Sequence, residues 1–402
     1  MAALLSTGLP PAPEAPAAAS RPGIGDSGRD AARQAEAVRA PVAIVLPPRE
    51  GFAPGAVGAV GLMVQRLAVH GRPSLVIGAA PAAAPFAAPP FRAAEPAGWS
   101  PNRTRRYAQG VARVLAETAP CLVEVHNRPE VALLLAARFP RVPVMLFLHN
   151  DPQGMRGAAT ARQRAALLHR LARVVTVSDW LRRRLLEGVE NGARVEVLPN
   201  AIELAALPPA LPQADRERLI LFAGRVVADK GADGFVAACA RALPALPGWR
   251  AEMIGADRFA AESPDTPFLR RLRPAAAAAG IAMPGYRPHP EVLTAMARAA
   301  IVAVPSRWAE PFGLTALEAM ASGAALVCSD RGGLPEVAGE AALIVDPDDP
   351  NGFAQALLAL ARDPGRRAAM AEAGLARARR FDIGVAAAAL ERLRAELLGE
   401  AA

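Results

Sequence analysis

The chain has 402 residues, 52% of them apolar and only 4% aromatic, which calls for two to three domains with cores built mainly of Ala, Leu and Val. No stretch approaches the ~20 continuous apolar residues of a membrane helix, and three scattered cysteines (Cys121, Cys239, Cys328) with five scattered histidines argue against a transmembrane protein, a disulfide framework and a Cys- or His-rich metal site. The net charge of +8 is uneven: residues 41–200 carry 20 Arg against ten acids, residues 201–402 carry 22 basic against 24 acidic residues, and residues 1–40 balance. The first half therefore suits an anionic partner, such as a phosphate-bearing substrate, a membrane surface or a nucleic acid; a solvated Arg-rich face is the plainer alternative.

Residues 1–40, rich in Ala and Pro and without apolar periodicity, read as a disordered extension. Their start, MAALLSTGLPPAPEAP, lacks the basic and apolar regions of a signal peptide, so a cytoplasmic location with reduced thiols is expected. From Pro41, short apolar runs at 42–46, 74–78, 121–125, 142–148, 173–177 and 195–199 alternate with amphipathic stretches at 57–70, 103–118, 157–171 and 179–187. Continuous apolar strands joined by helices predict a parallel sheet covered on both faces. The Pro-rich segment 205–217 reads as a linker. The alternation then restarts with runs at 218–224, 251–255, 300–305, 325–330 and 342–347 and helices at 232–243, 290–299, 313–321, 350–362 and 366–379. The prediction is an α/β protein of two doubly wound, Rossmann-like domains, 41–204 and 218–381, facing each other across a cleft. A last helix within 382–402 is expected to pack back on the first domain.

Ligands of such domains bind beyond the carboxyl ends of the strands, so the residues after each run carry the chemistry. In LFAGRVVADKG (221–231) a strand ends at Gly224, Arg225 follows, and Lys230–Gly231 opens a helix. Two cations beside a helix N-terminus suit a diphosphate, where a surface loop with solvated charges is the alternative. Lys230 is the single lysine among 46 basic residues, which marks it as a position where a compact ammonium is needed. In VPSRWAEPFGLTALEAM (304–320), Glu310 precedes Pro311-Phe312-Gly313 and a helix, and Glu318 falls inside that helix among Ala and Leu. An unpaired carboxylate is costly in that setting. Glu310 as a helix cap and Glu318 as a surface charge form the competing reading.

These residues resemble retaining glycosyltransferase family 4. Glu310 and Glu318 look like its E-x7-E motif, Arg225 and Lys230 resemble its G-R-x4-K-G phosphate clamp, and EAMASGAALVCSDRGGLPEV is similar to the segment that follows the second glutamate. The resemblance implies a GT-B fold, a metal-independent retaining transfer, and a nucleotide-sugar co-substrate (a UDP-, GDP- or ADP-sugar) with no further cofactor. It implies that Arg225 and Lys230 neutralise the departing diphosphate, that Glu318 binds the ribose and Glu310 the donor sugar, and that the backbone N–H groups of Phe312, Gly313 and Leu314 hold sugar and phosphates. By the same resemblance Gly224 ends the strand into the clamp, Gly55 and Gly58 bring backbone near the phosphates, and His149 hydrogen bonds the donor sugar across the cleft. His126 and Asn127 touch the acceptor or hold their loop, Asn200 is structural, and Tyr286 and Arg287 flank the base. The expected acceptor is an anionic glycolipid or a cell-envelope saccharide, with peripheral contact between anionic membrane and Arg103, Arg105, Arg106 and Arg182–Arg184. A hydrolase or epimerase on the same fold is the second reading. Nucleic-acid binding, suggested by the pI of 10.6, finds sparse stacking aromatics and no recognised motif in the sequence.

Overall fold

Runs of Val, Ile, Leu and Ala without alternation must bury both faces, and they do so in two parallel sheets. The computed structural model describes residues 40–190, 192–258 and 262–400; the extension expected at 1–40 lies outside them except for Ala40. The described residues from Pro41 onward form one compact unit.

The first lobe contains β1 (Val42–Val45), a β2–β3 hairpin (Phe52–Ala53 and Ala56–Val57), α1 (Ala59–Ala68), β4 (Ser74–Gly78), β5 (Phe91–Ala93), α2 (Arg103–Thr118), β6 (Leu122–His126), α3 (Pro129–Arg138), β7 (Val144–Leu148), α4 (Ala161–Arg170), β8 (Arg173–Thr176), α5 (Asp179–Leu186) and β9 (Val195–Val197). The second contains β10 (Glu217–Ala223), α6 (Ala232–Ala242), β11 (Arg250–Ile254), α7 (Pro267–Ala278), β12 (Ile281–Gly285), α8 (His289–Arg298), β13 (Ala299–Val304), α9 (Leu314–Ala321), β14 (Ala325–Ser329), α10 (Leu334–Ala338), β15 (Ala342–Val345), α11 (Pro350–Arg362) and α12 (Pro364–Ala378). A final helix, α13 (Ile383–Leu398), follows. Strand order is β5-β4-β1-β6-β7-β8-β9 in the first sheet and β12-β11-β10-β13-β14-β15 in the second, with parallel pairing throughout. Strand order reverses between β1 and β6 and between β10 and β13, which opens a crevice at each carboxyl edge.

Each sheet is sandwiched between two apolar clusters. Helix α13 supplies Ile383, Ala386, Ala387, Leu390 and Leu393 to the cluster containing Val42, Ile44 and Leu46, so the end of the chain covers the first lobe. An ion pair fixes it there. The Arg394 guanidinium donates to both oxygens of Glu124 on β6, at 2.7 and 2.8 Å, and the two side chains are 1% and 2% exposed. Val177 and Leu181 of the first lobe share a cluster with Leu317, Leu334 and Phe381 of the second, so the lobes meet through packed side chains.

Among the elements without a counterpart in the hydrophobic pattern, three show why. Helix α3, PEVALLLAAR, is apolar on nearly every side and shows little periodicity. Helix α7 carries an interior proline, Pro274. Strand β5 is three residues at an exposed edge.

Candidate active site

The second lobe's crevice, between β10 and β13, is lined by the two loops that carry Lys230 and Glu310. After β10 the chain passes Gly224 and Arg225 and makes a 3-10 turn over Ala228–Lys230 before α6. Gly231 closes that turn with φ +70°, and a Cβ there would collide with the Pro305 carbonyl oxygen, so only glycine lets the two loops meet. The Asp229 carbonyl then accepts the N–H groups of Arg307 and Trp308 at 2.9 and 2.8 Å. The outcome is a direct ion pair between Lys230 Nζ and Glu310 Oε1, with the Ser306 hydroxyl donating to the same oxygen at 2.8 Å. Glu310 is 14% exposed and Lys230 24%. Arg225 makes no ion pair among the described residues, whereas nearby Arg307 and Arg331 are neutralised by Asp233, Asp330, Asp346 and Asp348.

The Glu310 loop is held from below by the turn at 331–333. Gly333 N–H donates to the Glu310 carbonyl at 2.7 Å, and Gly332 packs directly against the Glu310 backbone. Gly313 (φ +109°) then starts α9 without a capping side chain, and Leu334 fills the space a Cβ would need. The Ala316 N–H donates to the Gly313 carbonyl at 3.1 Å, which leaves the Leu314 and Thr315 N–H groups to a ligand or solvent. Phe312 is buried and meets Phe381 edge-on at 5.6 Å, so only its backbone is available to a donor. On α9, Glu318 is 14% exposed and receives His289 Nε2 at 2.8 Å. Each carboxylate is therefore accessible and each is matched to a basic side chain. Tyr286 is half-buried; Arg287 is exposed and lies 3.7 Å from Glu291.

In the first lobe, His126 Nδ1 and His149 Nε2 are 2.9 Å apart, and Asn127 Oδ1 accepts the His149 backbone N–H at 2.7 Å. Burial pushes His149 down to about 4, and Asn200 reaches the same ring. His126 is held well below the ordinary imidazole range by burial first, then by His149 and Arg394. The His149 ring is bonded within its own lobe, and His126 and Asn127 are only 4% and 5% exposed.

The glycine loop also differs from expectation. Gly55 is the tip of the β2–β3 hairpin with open space around it, and Gly58 precedes α1 against the Glu50 carboxylate. Glu50 Oε1 accepts the Gly61 N–H at 2.9 Å. A carboxylate thus sits where a phosphate would approach the start of α1, and two anions repel there. The arginines at 182–184 are likewise spoken for, by Asp179, Asp151 and Glu187, while Arg103, Arg105 and Arg106 make no ion pair among the described residues.

Sequence reasoning did not single out several residues that shape the site. His289 and Ser306 hold the two glutamates. Ser178 Oγ donates to the Pro311 carbonyl at 2.6 Å, and Glu336 on α10 accepts the N–H groups of Asp179 and Trp180 at 2.8 and 3.1 Å, joining the lobes beside Glu310. The sequence offered one signal for the last pair: Ser178 stands as an N-cap ahead of a Leu-rich helix. Arg49 and Arg128 leave the adjacent strands β1 and β6 at one edge, and neither makes an ion pair among the described residues. No group of three or more His, Cys, Asp or Glu among the described residues is arranged to hold a metal, and no described helix is long and apolar enough to cross a membrane.

Two crevice-bearing parallel sheets with the cation–carboxylate pair at one crevice define a GT-B protein of the glycosyltransferase type. Residues 55–206 match the family described as Glycosyltransferase Family 4, and residues 206–377 match Glycosyl transferases group 1, so the two matches run without a break from 55 to 377. The chain belongs to glycosyltransferase family 4. Among relatives, it is 31% identical over 198 residues to the D-inositol 3-phosphate glycosyltransferase of Segniliparus rotundus (47% of this chain, 44% of that protein). It is 30% identical over 268 residues to a glycogen synthase of Mycobacterium tuberculosis (61% of each). The chain spans about half the length of the inositol-phosphate enzymes it matches. In fold it is similar to sucrose-phosphate synthase from Thermosynechococcus elongatus (TM-score 0.72, 20% identity, 89% of this chain and 99% of that one). It is also similar to Anabaena HepE in complex with UDP and glucose (TM-score 0.68, 17% identity, 89% and 99%).

Proposed function

We propose that this chain transfers a sugar from a nucleotide-sugar donor to an anionic acceptor, with retention of configuration and without a metal. The observation that carries the reading is the meeting of Lys230 with Glu310 at the strand-order reversal of the second lobe. Breaking a glycosyl–phosphate bond leaves positive character on the sugar and new negative charge on the diphosphate, so fixed cations at the leaving group lower the barrier. Lys230 and unpaired Arg225 are placed on the loop suited to that task. When the diphosphate arrives it competes for the Lys230 ammonium, and Glu310, still held by Ser306, turns to the hydroxyls of the sugar. Glu318 takes the ribose. The Glu310 carboxylate is bonded to both the Ser306 hydroxyl and Lys230, which fits a same-face displacement in which a donor phosphate oxygen, not a side chain, accepts the acceptor's proton.

The acceptor lobe favours an anion. Arg49 and half-buried Arg128 stand together at its carboxyl edge; burial lowers the Arg128 pKa, and the charge of Arg49 opposes it as well. A phosphorylated acceptor, such as the one named for the inositol-phosphate relatives, fits two unpaired guanidiniums. A lipid-borne acceptor of the cell envelope fits the outer surface. There Trp99 stands fully exposed a few residues before exposed Arg103 and Arg105, an aromatic and basic combination suited to the inner face of an anionic membrane.

The test is a thermal-shift screen against UDP-, GDP- and ADP-sugars, followed by NMR of the product formed with phosphorylated acceptors. A product with the donor's anomeric configuration, formed equally well in EDTA, is expected. Free sugar alone would favour a hydrolase, and restoration of EDTA-treated activity by Mg²⁺ or Mn²⁺ would end the metal-free scheme. Flotation with anionic vesicles at low salt tests the membrane contact separately.

A further inference from the structure

Glu318 is held in place by a residue from another helix. His289 opens α8, reached from β12 through Tyr286, Arg287 and Pro288, and α8 packs against the helix that carries Glu318. Its Nε2 lies 2.8 Å from Glu318 Oε1, and its Nδ1 makes no hydrogen bond among the described residues. The imidazole is 45% exposed and the carboxylate 14%, so the contact stands at the lip of the site, with a second ring nitrogen open to whatever enters.

A carboxylate that is to take vicinal hydroxyls must present one oxygen edge in a fixed direction. Left alone on α9, Glu318 would be free to rotate about its side-chain torsions, and binding would have to freeze them. His289 removes that freedom beforehand by occupying Oε1. It also decides the charge at the lip. With one ring proton the pair carries a net charge of −1, which repels an incoming diphosphate; with two it is neutral.

We propose that His289 is the positioning residue for the donor's nucleotide, orienting Glu318 toward the ribose and, in its charged form, favouring entry of the anionic donor, so that sugar-nucleotide affinity falls as pH rises. This rests on the reading of Glu318 as the ribose ligand. The groups facing His289 are Glu318 from α9 and Arg66 from α1 of the other lobe, with Arg287 and Glu291 nearby on its own segment paired to each other at 3.7 Å. The hydrogen bond to Glu318 is the largest influence and raises the imidazole above its ordinary value, outweighing burial and the charge of Arg66. The charged form therefore persists to higher pH than in a free imidazole, and affinity declines as pH climbs.

Calorimetric titration of the full chain with UDP-glucose, GDP-mannose and ADP-glucose tests this, because their diphosphate diesters do not titrate near neutrality and cannot mimic the effect. For the donor that binds, we expect about 2- to 5-fold tighter binding near pH 6 than near pH 8.5, the size of one partly exposed charge–charge interaction. His289→Gln keeps an N–H for Glu318 but never gains a charge, so it should bind at the wild-type alkaline level at every pH. His289→Ala should bind more weakly than Gln throughout. A flat wild-type profile, a Gln variant that keeps the wild-type slope, or an Ala variant equal to wild type would each overturn the proposal. If none of the three donors binds wild type at any pH, the sugar-nucleotide reading itself fails and the proposal falls with it.

Discussion

Replacing Lys230 with Met separates a structural role from a functional one, because the two predict different ratios of lost activity to lost stability. The ammonium pairs with Glu310, and the Ser306 hydroxyl donates to the same carboxylate oxygen at 2.8 Å. Exposed pairs contribute about 0–1 kcal/mol, while breaking a buried pair costs about 3–5. With 14–24% exposure and Ser306 left to bond the carboxylate, the stability loss should be about 1–2 kcal/mol, or a few degrees in Tm for a chain of this size. Removing one donor that stabilises transition-state charge costs about 3–4 kcal/mol, and Arg225, unpaired on the same loop, should cover part of it. A residual loss of about 2–3 kcal/mol corresponds to a fall in kcat/KM of about 30- to 150-fold. Initial rates against donor concentration and thermal unfolding of the same preparations measure both. Glu310→Gln should be nearly inactive and stable, and the double variant should regain part of the stability lost in Lys230→Met, since no unpaired carboxylate remains. A kcat/KM within about fivefold of wild type, or a double variant as unstable as the sum of the single ones, would refute the reasoning.

Three further outcomes follow from other contacts. Arg394→Met leaves the Glu124 carboxylate buried and unpaired beneath α13, so urea unfolding should show a loss of about 3–5 kcal/mol, most of it recovered when Glu124→Gln is added. His149, whose folded pKa of about 4 lies below its unfolded value near 6.5, contributes stability that is complete above pH ~6.5 and is lost as pH falls toward ~4. A fully enclosed ring would give about 3 kcal/mol; His149 keeps some solvent contact, so about half of that is expected, and His149→Gln should reduce the acid destabilisation over that range, with buried His126 supplying the rest. Ser178→Ala removes both the bond to the Pro311 carbonyl and the cap on Leu181 N–H at 3.1 Å, so it should cost about 1–2 kcal/mol, measurable as a lowered urea midpoint.

Much of this molecule was written locally in its residues. Unalternating runs such as VAIV and ALVCS can bury both faces only inside a covered parallel sheet, so the two-lobed architecture followed from the pattern, and so did the strand ends after which Lys230 and Glu310 stand. The single lysine, the glycine beside it and the spacing of the two glutamates belong to one loop or one helix each, and short-range information was enough to find them. What only tertiary structure decided lies between segments distant in sequence. Glu310 meets a lysine 80 positions earlier because Gly231 lets two loops close together. Glu318 meets His289 across two helices 29 positions apart. Conversely, Glu50 fills the start of α1 where the family resemblance had suggested a phosphate, and the histidines at 126 and 149 turn out to bond each other. A side chain's partner depends on which strands become neighbours, and the periodicity of a segment holds no record of what packs against it.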